Sequence, residues 1–211
     1  LPQQFSDCED LWQDLRDFVP TRDFTLGQPL KIFENNFAEL IGTRYAIGVN
    51  SGTDAIKLSL KAHGIGSGDE VITASNTFVA TVGAICELGA TPVFVDCDDT
   101  FCINVDLVEE KISEKTKALL PVHFSGCMTD MRKIKAIADQ HNLFVVEDAC
   151  QSILGSIDGR NAGTWGYAGA FSLHPLKNIN VWSDGGVIVT NDSELNNKLR
   201  LMRNHGLEDR D

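Results

Sequence analysis

The segment FSLHPLKN at residues 171–178 carries a lysine close behind an apolar stretch. Residues 168–173 are small or apolar and predict a strand that is buried in a parallel sheet. Pro175 ends regular strand pairing, so Lys177 is expected on a loop with a Gly-Gly pair close behind. A lone lysine beside a buried strand should be rare, which makes Lys177 a candidate functional residue.

A second buried strand is predicted upstream, at residues 143–146. Its sequence, LFVV, is rich in β-branched and aromatic residues, as is typical of parallel strands covered on both faces. The segment EDACQ follows at residues 147–151, so this strand delivers Asp148 to its carboxyl end. Open α/β sheets bind their ligands at that end of their strands.

Asp148 and Lys177 together suit Schiff-base catalysis by pyridoxal phosphate. A lysine amine must lose its proton before it attacks an aldehyde, and an apolar pocket lowers the pKa of such an amine. An ionised carboxylate opposite the pyridine nitrogen keeps that nitrogen protonated, so the ring can accept electrons. Each residue also has a plainer interpretation, with Lys177 as a solvated loop residue and Asp148 as a helix cap.

The composition is that of an ordinary globular protein of 211 residues, 43% of them hydrophobic. The formal net charge of -12 argues against binding to nucleic acid or an anionic membrane, because such surfaces are bound mainly by Lys and Arg clusters. No apolar run reaches the length of a membrane span, and the first residues lack signal-peptide features, so a cytoplasmic protein is expected. The six cysteines and five histidines lack zinc-ligand spacing, so neither metal nor disulfides are predicted.

An anion site is predicted where the strand YAIGV at residues 45–49 runs into NSGTDA at 50–55 and then into a helix. The free N–H groups and the positive dipole at a helix N-terminus bind phosphate, and Gly52 and Thr53 are the candidates. The alternative, favoured by this segment alone, is a helix cap without a ligand. The segment GIGSG at residues 64–68 follows a helix and precedes a strand, which is the wrong order for a dinucleotide-binding loop.

Strand and helix patterns alternate along the rest of the chain. Amphipathic helices are predicted at about 7–18, 32–41 and 131–138, a helix at 105–112, and strands at 92–96 and 118–122. Phe78 opens another helix and either stacks on a planar cofactor or packs in the core. The alternation predicts an α/β three-layer sandwich, with a mixed, mainly parallel sheet flanked by helices on both faces.

From about residue 33 to 206, the sequence resembles the large domain of the DegT/StrS-type sugar aminotransferases, which have fold type I of the pyridoxal-phosphate-dependent transferases. The matching segments are NSGTDA at 50–55, GDEVI at 68–72, PVFVD at 92–96, PVH at 121–123, EDA at 147–149, FSLHPLKN at 171–178 and DGG at 184–186. All of them in this order form a specific pattern.

The resemblance implies a role for each residue of a cofactor site. Lys177 is linked to pyridoxal phosphate and serves as the general base, and Asp148 pairs with the pyridine nitrogen as the second catalytic residue. Gln151 meets the phenolic oxygen, while Phe78 covers the ring face. The whole cofactor-binding set is Gly52, Thr53, Phe78, Asp148, Gln151, Ser172 and Lys177, with the phosphate held by Gly52, Thr53 and Ser172. Lysine at 177 excludes the related sugar dehydratases, which carry histidine there.

The implied reaction moves an amino group from glutamate, or less often glutamine, to a nucleotide-linked keto sugar in amino-sugar or surface-polysaccharide biosynthesis. SDGG at residues 183–186 favours a 3-keto sugar, although Ser183 departs from the family's usual glycine and a 4-keto sugar is the alternative. His174 and Trp182 are candidates for lining the sugar pocket, with packing as the other explanation for Trp182. A non-catalytic or regulatory relative that binds the cofactor, and another fold type I enzyme acting on amino acids, are further alternatives.

The resemblance also predicts how the chain is divided. Residues 1–32 are expected to form an N-terminal helix and connector, and 33–206 the pyridoxal-phosphate-binding large domain. Residues 207–211 are expected to begin a linker to a C-terminal small domain that is absent from this chain. Members of the family are homodimers with shared active sites, so a homodimer is expected.

Overall fold

Seven strands form one sheet in the computed structural model, which describes residues 8–208. In chain order the strands are β1 (Tyr45–Val49), β2 (Glu70–Ala74), β3 (Thr91–Val95), β4 (Thr116–Leu120), β5 (Phe144–Asp148), β6 (Ser156–Ile157), β7 (Arg160–Asn161), β8 (Ala168–Ser172) and β9 (Gly186–Thr190). The sheet order is β1-β9-β8-β5-β4-β2-β3, while β6 and β7 form a separate hairpin. Only β9 runs antiparallel to its neighbours. The predicted mixed, mainly parallel sheet is therefore confirmed.

The described residues contain six α-helices, five of which pack on the sheet. They are α1 (Glu9–Phe18), α2 (Gln28–Ile41), α3 (Gly52–Ala62), α4 (Val79–Glu87), α5 (Met131–His141) and α6 (Ser193–Arg203). The helices predicted from apolar spacing near residues 7–18, 32–41 and 131–138 correspond to α1, α2 and α5. Gly42 ends α2 at φ +86°, a backbone conformation that favours glycine.

The prediction of a helix at residues 105–112 is wrong. The structure has two short 3-10 turns there, at Val105–Leu107 and Glu109–Lys111, and Ile112 is already extended. The residues that this segment buries most deeply are Val105 and Val108. Their separation of three matches the period of a 3-10 turn, so one apolar edge is buried without a full α-helix.

The core lies on both faces of the sheet because side chains alternate along each strand. On one face, Ile56 and Leu60 of α3 pack with Ile85 of α4 and Val146 of β5. The opposite face has two clusters, one around Ile134 of α5 and another around α2. Helices therefore flank the sheet on both sides, which confirms the predicted three-layer sandwich.

Helix α1 differs from the other helices because none of its residues is buried. Trp12 contacts Trp182, with ring centroids 5.1 Å apart, so α1 lies beside the loop that follows β8.

The predicted segments 1–32 and 207–211 extend partly outside the described residues. No helix within residues 8–208 combines the length and apolar composition that crossing a membrane requires.

Candidate active site

A cavity of about 290 Å³ lies where β1, β2, β4, β5 and β8 end and β9 begins. This size is close to the lower end of the range for small-molecule sites. All seven predicted cofactor-binding residues line it: Gly52, Thr53, Phe78, Asp148, Gln151, Ser172 and Lys177. Asp148 and Lys177, the acid and the amine on which the sequence prediction depends, therefore line the same cavity.

The N-terminus of α3 forms one wall of the cavity. Ser51 caps the helix, since its Oγ accepts the N–H of Asp54 at 3.1 Å and its carbonyl accepts the N–H of Ala55 at 2.9 Å. Within residues 8–208, the N–H groups of Gly52 and Thr53 have no hydrogen-bond partner. The predicted cap and the predicted anion site are thus compatible, because capping leaves two donors and the positive helix end facing the cavity.

Two glycines allow this close packing around the helix start. A Cβ at Gly52 would lie 2.8 Å from Ser172 Cβ and 2.9 Å from Cys150 Sγ. A Cβ at Gly186 would lie 2.2 Å from the carbonyl oxygen of Ser51. The ends of β1 and β8, the turn after β5 and the start of β9 can meet only because these positions lack side chains.

Asp148 is the last residue of β5 and is 5% exposed. Its Oδ2 accepts the hydroxyl of Thr81 at 2.7 Å, and its Oδ1 accepts the N–H of Cys150 at 3.2 Å. The interpretation of Asp148 as a helix cap is wrong, because a turn rather than a helix follows β5. Each carboxylate oxygen keeps a lone pair for a further donor.

Thr77 and Thr81 are site residues that the sequence prediction missed. Thr81 is fully buried, and its hydroxyl lies 2.7 Å from that of Thr77. Because Thr81 uses its single proton on Asp148, it accepts from Thr77, and the two hydroxyls form a chain that ends at the carboxylate. Thr77 precedes the N-cap Phe78 of α4 and Thr81 lies in its first turn, so no helical spacing pointed to the pair.

Lys177 lies on the loop after β8 and is half-buried. Its backbone N–H donates to the carbonyl of His174 at 2.8 Å, and its own carbonyl accepts from Asn180 Nδ2 at 3.1 Å. Among the described residues, its amine has no hydrogen-bond or ion-pair partner. The loop is therefore held by its backbone while the amine remains available to the cavity.

The thiol of Cys150 interacts electrostatically with both Asp148 and Lys177. Burial raises the pKa of its thiol well above the usual range, Asp148 raises that pKa further, and Lys177 lowers it. One thiol thus lies within electrostatic reach of both Asp148 and Lys177. The sequence prediction did not include Cys150, although it lies in the cavity lining.

The remaining predicted residues have distinct positions. Gln151 Oε1 accepts the N–H of Ser125 at 2.9 Å, which leaves its amide N–H₂ for another partner. Phe78 is 64% exposed at the start of α4, so its interpretation as a core residue is wrong. His174 lines the cavity, whereas Trp182 is absent from its lining and packs on Trp12.

The site contains donors and acceptors for a small anionic molecule. Its N–H groups at α3 suit an anion, its carboxylate suits a protonated nitrogen, and its free amine suits a carbonyl carbon. These are the three functions that pyridoxal phosphate requires of a protein. Nowhere in residues 8–208 do three or more His, Cys, Asp or Glu side chains group as metal ligands.

Comparison with known proteins gives consistent matches over nearly the whole chain. Residues 6–211 match the model of the DegT/DnrJ/EryC1/StrS aminotransferase family. A pleiotropic regulatory protein of Geobacillus stearothermophilus is 43% identical over 98% of this chain and 56% of its own length. The UDP-N-acetyl-3-dehydro-alpha-D-glucosamine 3-aminotransferase of Acidithiobacillus ferrooxidans is 46% identical over 92% of this chain and 57% of its own.

Solved structures agree with these sequence matches. The structure of ntda from Bacillus subtilis with bound cofactor PMP superposes with a TM-score of 0.87 and 40% sequence identity, covering 93% of this chain and 45% of that one. The chain spans about half the length of the curated relatives that it matches.

Proposed function

Because the chain belongs to the DegT/DnrJ/EryC1/StrS aminotransferase family, we propose that it carries the pyridoxal-phosphate site of an aminotransferase acting on a nucleotide-linked keto sugar. The observation that carries the proposal is the shared cavity of Asp148, Lys177 and the N-terminus of α3. The bound PMP in the B. subtilis structure supports the same cofactor.

The residues of the cavity fit the parts of pyridoxal phosphate. The free N–H groups of Gly52 and Thr53, with the hydroxyl of Ser172, would hold the phosphate. Asp148 would face the pyridine nitrogen, and Gln151 would direct its unused N–H₂ to the phenolic oxygen.

Each residue then has a task during amino transfer. Pyridoxal phosphate supplies an electron-accepting ring that stabilises negative charge on the substrate carbon. Lys177 would hold the cofactor through its amine, and the same amine, when released, would serve as the general base that moves the proton. Asp148 would keep a proton on the pyridine nitrogen, and the hydroxyl of Thr81 holds the Asp148 carboxylate in its direction.

The substrate proposal is a 3-keto sugar with glutamate, or less often glutamine, as the amino donor. Asp184 of the SDGG segment lines the cavity, so it lies where a sugar substituent could be recognised. The A. ferrooxidans relative is named a 3-aminotransferase, which supports position 3. A 4-keto sugar is the alternative.

We also propose that the active protein is a cytoplasmic homodimer with active sites shared between subunits. Phe78, Val79 and Leu176 are 64%, 73% and 75% exposed, and a second copy would bury this apolar rim. Cys86, Cys97, Cys102, Cys127 and Cys150 form no disulfide within the described residues, as is usual in a reducing compartment. The proposed division of the chain is an N-terminal helix and connector at 1–32, a cofactor-binding large domain at 33–206 and the start of a linker at 207–211.

A regulatory role is the second candidate function, because a relative 43% identical is named a pleiotropic regulatory protein. Such a protein would hold the cofactor without transferring amino groups to sugars. The presence of Lys177 disfavours this candidate, since loss of the lysine is the simplest route to loss of catalysis.

The substitution Lys177→Ala tests the proposal. We expect the purified protein with pyridoxal phosphate to lose the visible absorbance of the lysine-linked cofactor and all amino transfer to sugars. The matched control Lys135→Ala removes a lysine that pairs with Asp139 on α5, so it should keep both. A lysine-linked band that persists in Lys177→Ala would contradict the assignment.

A substrate panel separates the candidate functions. Glutamate and glutamine are each offered with nucleotide-linked 3-keto and 4-keto sugars, and the amino sugar is detected by mass spectrometry. Transfer to the 3-keto sugars supports the proposal, and transfer only to the 4-keto sugars supports the alternative. Cofactor binding without any transfer supports the regulatory role.

A further inference from the structure

Glu147 precedes Asp148 on β5 and is completely buried. Its carboxylate accepts four hydrogen bonds. Oε1 accepts the N–H groups of Trp165 and Gly166, each at 2.7 Å. Oε2 accepts the N–H of Gly163 at 2.9 Å and lies 2.9 Å from His123 Nε2. A buried carboxylate is costly unless its lone pairs are occupied, and here all four are.

His123 is the donor to Glu147 in its neutral form. Its Nδ1 accepts the N–H of Thr129 at 3.3 Å, so its proton is on Nε2 and points to the carboxylate. The backbone N–H of His123 donates to the carbonyl of Asp148 at 3.0 Å, and the N–H of Asp148 donates to the carbonyl of Pro121 at 2.9 Å. The His123–Glu147 pair therefore fixes the chain after β4 to β5 at the position of Asp148.

On its other side, Glu147 fixes residues 163–166, which lead into β8. Its glycines pack too closely for a side chain, because a Cβ at Gly166 would lie 2.5 Å from the carbonyl oxygen of Val145. A Cβ at Gly169 would lie 2.2 Å from the Cα of Gly163. One carboxylate thus ties together three adjacent parts of the sheet: β5, the chain after β4 and the entry to β8.

Each of these three parts contributes residues to the lining of the cavity. Side chains alternate along a strand, so Glu147 faces away from the space into which Asp148 points. Val122 after β4, Asp148 on β5 and Ser172 on β8 all line that space. A shift of β5 against either neighbour would move the Asp148 carboxylate relative to Thr81 and the rest of the lining.

We propose that Glu147 is a positioning residue for Asp148, acting through its four hydrogen bonds to set where that carboxylate meets the cofactor. The inference rests on the proposed function. In this proposal Glu147, which lies outside the cavity, holds Asp148 opposite the pyridine nitrogen.

The test is Glu147→Gln, which keeps the side-chain size but turns an NH₂ group toward N–H donors. We expect the Kd for pyridoxal phosphate, measured by absorbance titration, to rise about 10-fold. We also expect kcat for amino transfer to fall about 10- to 100-fold, with the KM for the sugar little changed, because misplacement by about 1 Å can cost about 100-fold.

Glu34→Gln is the matched control. Glu34 is also buried, and it accepts the N–H of Gly48 at 2.8 Å and the guanidinium groups of Arg200 and Arg203. Gly48 lies on β1, which β9 and β8 separate from β5. We expect both variants to unfold at a lower temperature, but only Glu147→Gln to change the Kd for the cofactor. Equal Kd values for wild type and Glu147→Gln overturn the inference, as does an equal rise in both variants.

If Glu147→Gln fails to fold, His123→Leu provides a second test of the same inference. It removes one donor and leaves the three backbone N–H bonds of Glu147, so we expect a smaller rise in the Kd in the same direction. An unchanged Kd in this variant overturns the inference. Failure of the wild-type protein itself to bind pyridoxal phosphate would overturn the proposed function and this inference together, whereas normal binding by every variant overturns the inference alone.

Discussion

Asp148 is oriented by its own neighbours, because each of its oxygens already accepts one hydrogen bond from the chain. Asp148→Asn keeps the shape but removes the charge that would hold a proton on the pyridine nitrogen. We expect pyridoxal phosphate to remain bound at saturating concentration while the rate of amino transfer falls roughly 100-fold, as is typical when an electrostatic contact to a reacting group is lost. Single-turnover absorbance measurements test this, and unchanged rates would count against the role of Asp148.

Gly52 is required by the space around it rather than by its backbone angles. Ala at this position brings a Cβ within 3.0 Å of both Ser172 Cβ and Cys150 Sγ, so the start of α3 must move. We expect Gly52→Ala to weaken binding of pyridoxal phosphate about 10-fold or more, since phosphate donors act only in the right geometry.

The control for this substitution is Gly83→Ala. Gly83 lies inside α4, and a Cβ there meets nothing within 4 Å. Ala should stabilise that helix slightly and leave the cofactor titration unchanged. Equal affinity in Gly52→Ala and wild type would show that α3 tolerates the extra carbon.

At the scale of the element, α3 carries a pH-dependent contact at its end opposite the cavity. His63 follows the helix and stacks on Phe144 with ring centroids 4.3 Å apart, and its Nε2 is buried without a partner among the described residues. Burial lowers the pKa of His63, Lys198 lowers it further, and Asp192 partly opposes them. The folded protein therefore favours the neutral ring.

The direction of the pH effect follows from this lowered pKa. Above about pH 6.5 the ring is neutral in both folded and unfolded chains and costs nothing. As the pH falls from there through the lower folded pKa, the unfolded chain binds the proton first, so the free energy of unfolding decreases. We expect urea unfolding to show this loss between pH 7.5 and 5.5, with a smaller loss in His63→Gln.

The exposed His205 supplies the control for the pH series. His205→Gln should keep the wild-type dependence on pH. An identical slope in wild type and His63→Gln would mean that other groups cause the change.

The elements also show what the sequence could predict. Apolar spacing identified α1, α2 and α5, and the alternation of strand and helix predicted the layered fold. It failed at residues 105–112, where burial of Val105 and Val108 needs only a 3-10 edge. Periodicity records which residues are buried, but a short segment can bury the same residues in more than one conformation.

The site was predictable where a residue belongs to a motif whose chemistry is recognisable, and not where its role depends on contacts made by the packed strands. The order of the motifs brought Asp148 and Lys177 to one cavity as expected. Thr81 contacts Asp148 across 67 positions of the chain, and Glu147 meets a loop 16 to 19 residues away. Such contacts depend on the sheet order, which one sequence does not encode in any local pattern.

At the scale of the whole molecule, the cavity is a product of topology. The parallel strands bring together residues from after β1, β2, β4, β5 and β8, and the antiparallel β9 adds the segment with Asp184. The whole chain has a formal net charge of -12, so the helix N-terminus and Lys177 must supply the local attraction for an anion.

The position of β9 also sets the order in which the protein can be built. Strand β1 has β9 as its sheet neighbour, with Tyr45 opposite Thr190 and Val49 opposite Gly186. A ribosome adds about 5–20 residues per second, so for several seconds the emerging β1 has no sheet neighbour to bond with. The wall of the cavity at the end of β1 can thus assemble only after Thr190 has left the exit tunnel, so the proposed phosphate site would be completed late in synthesis.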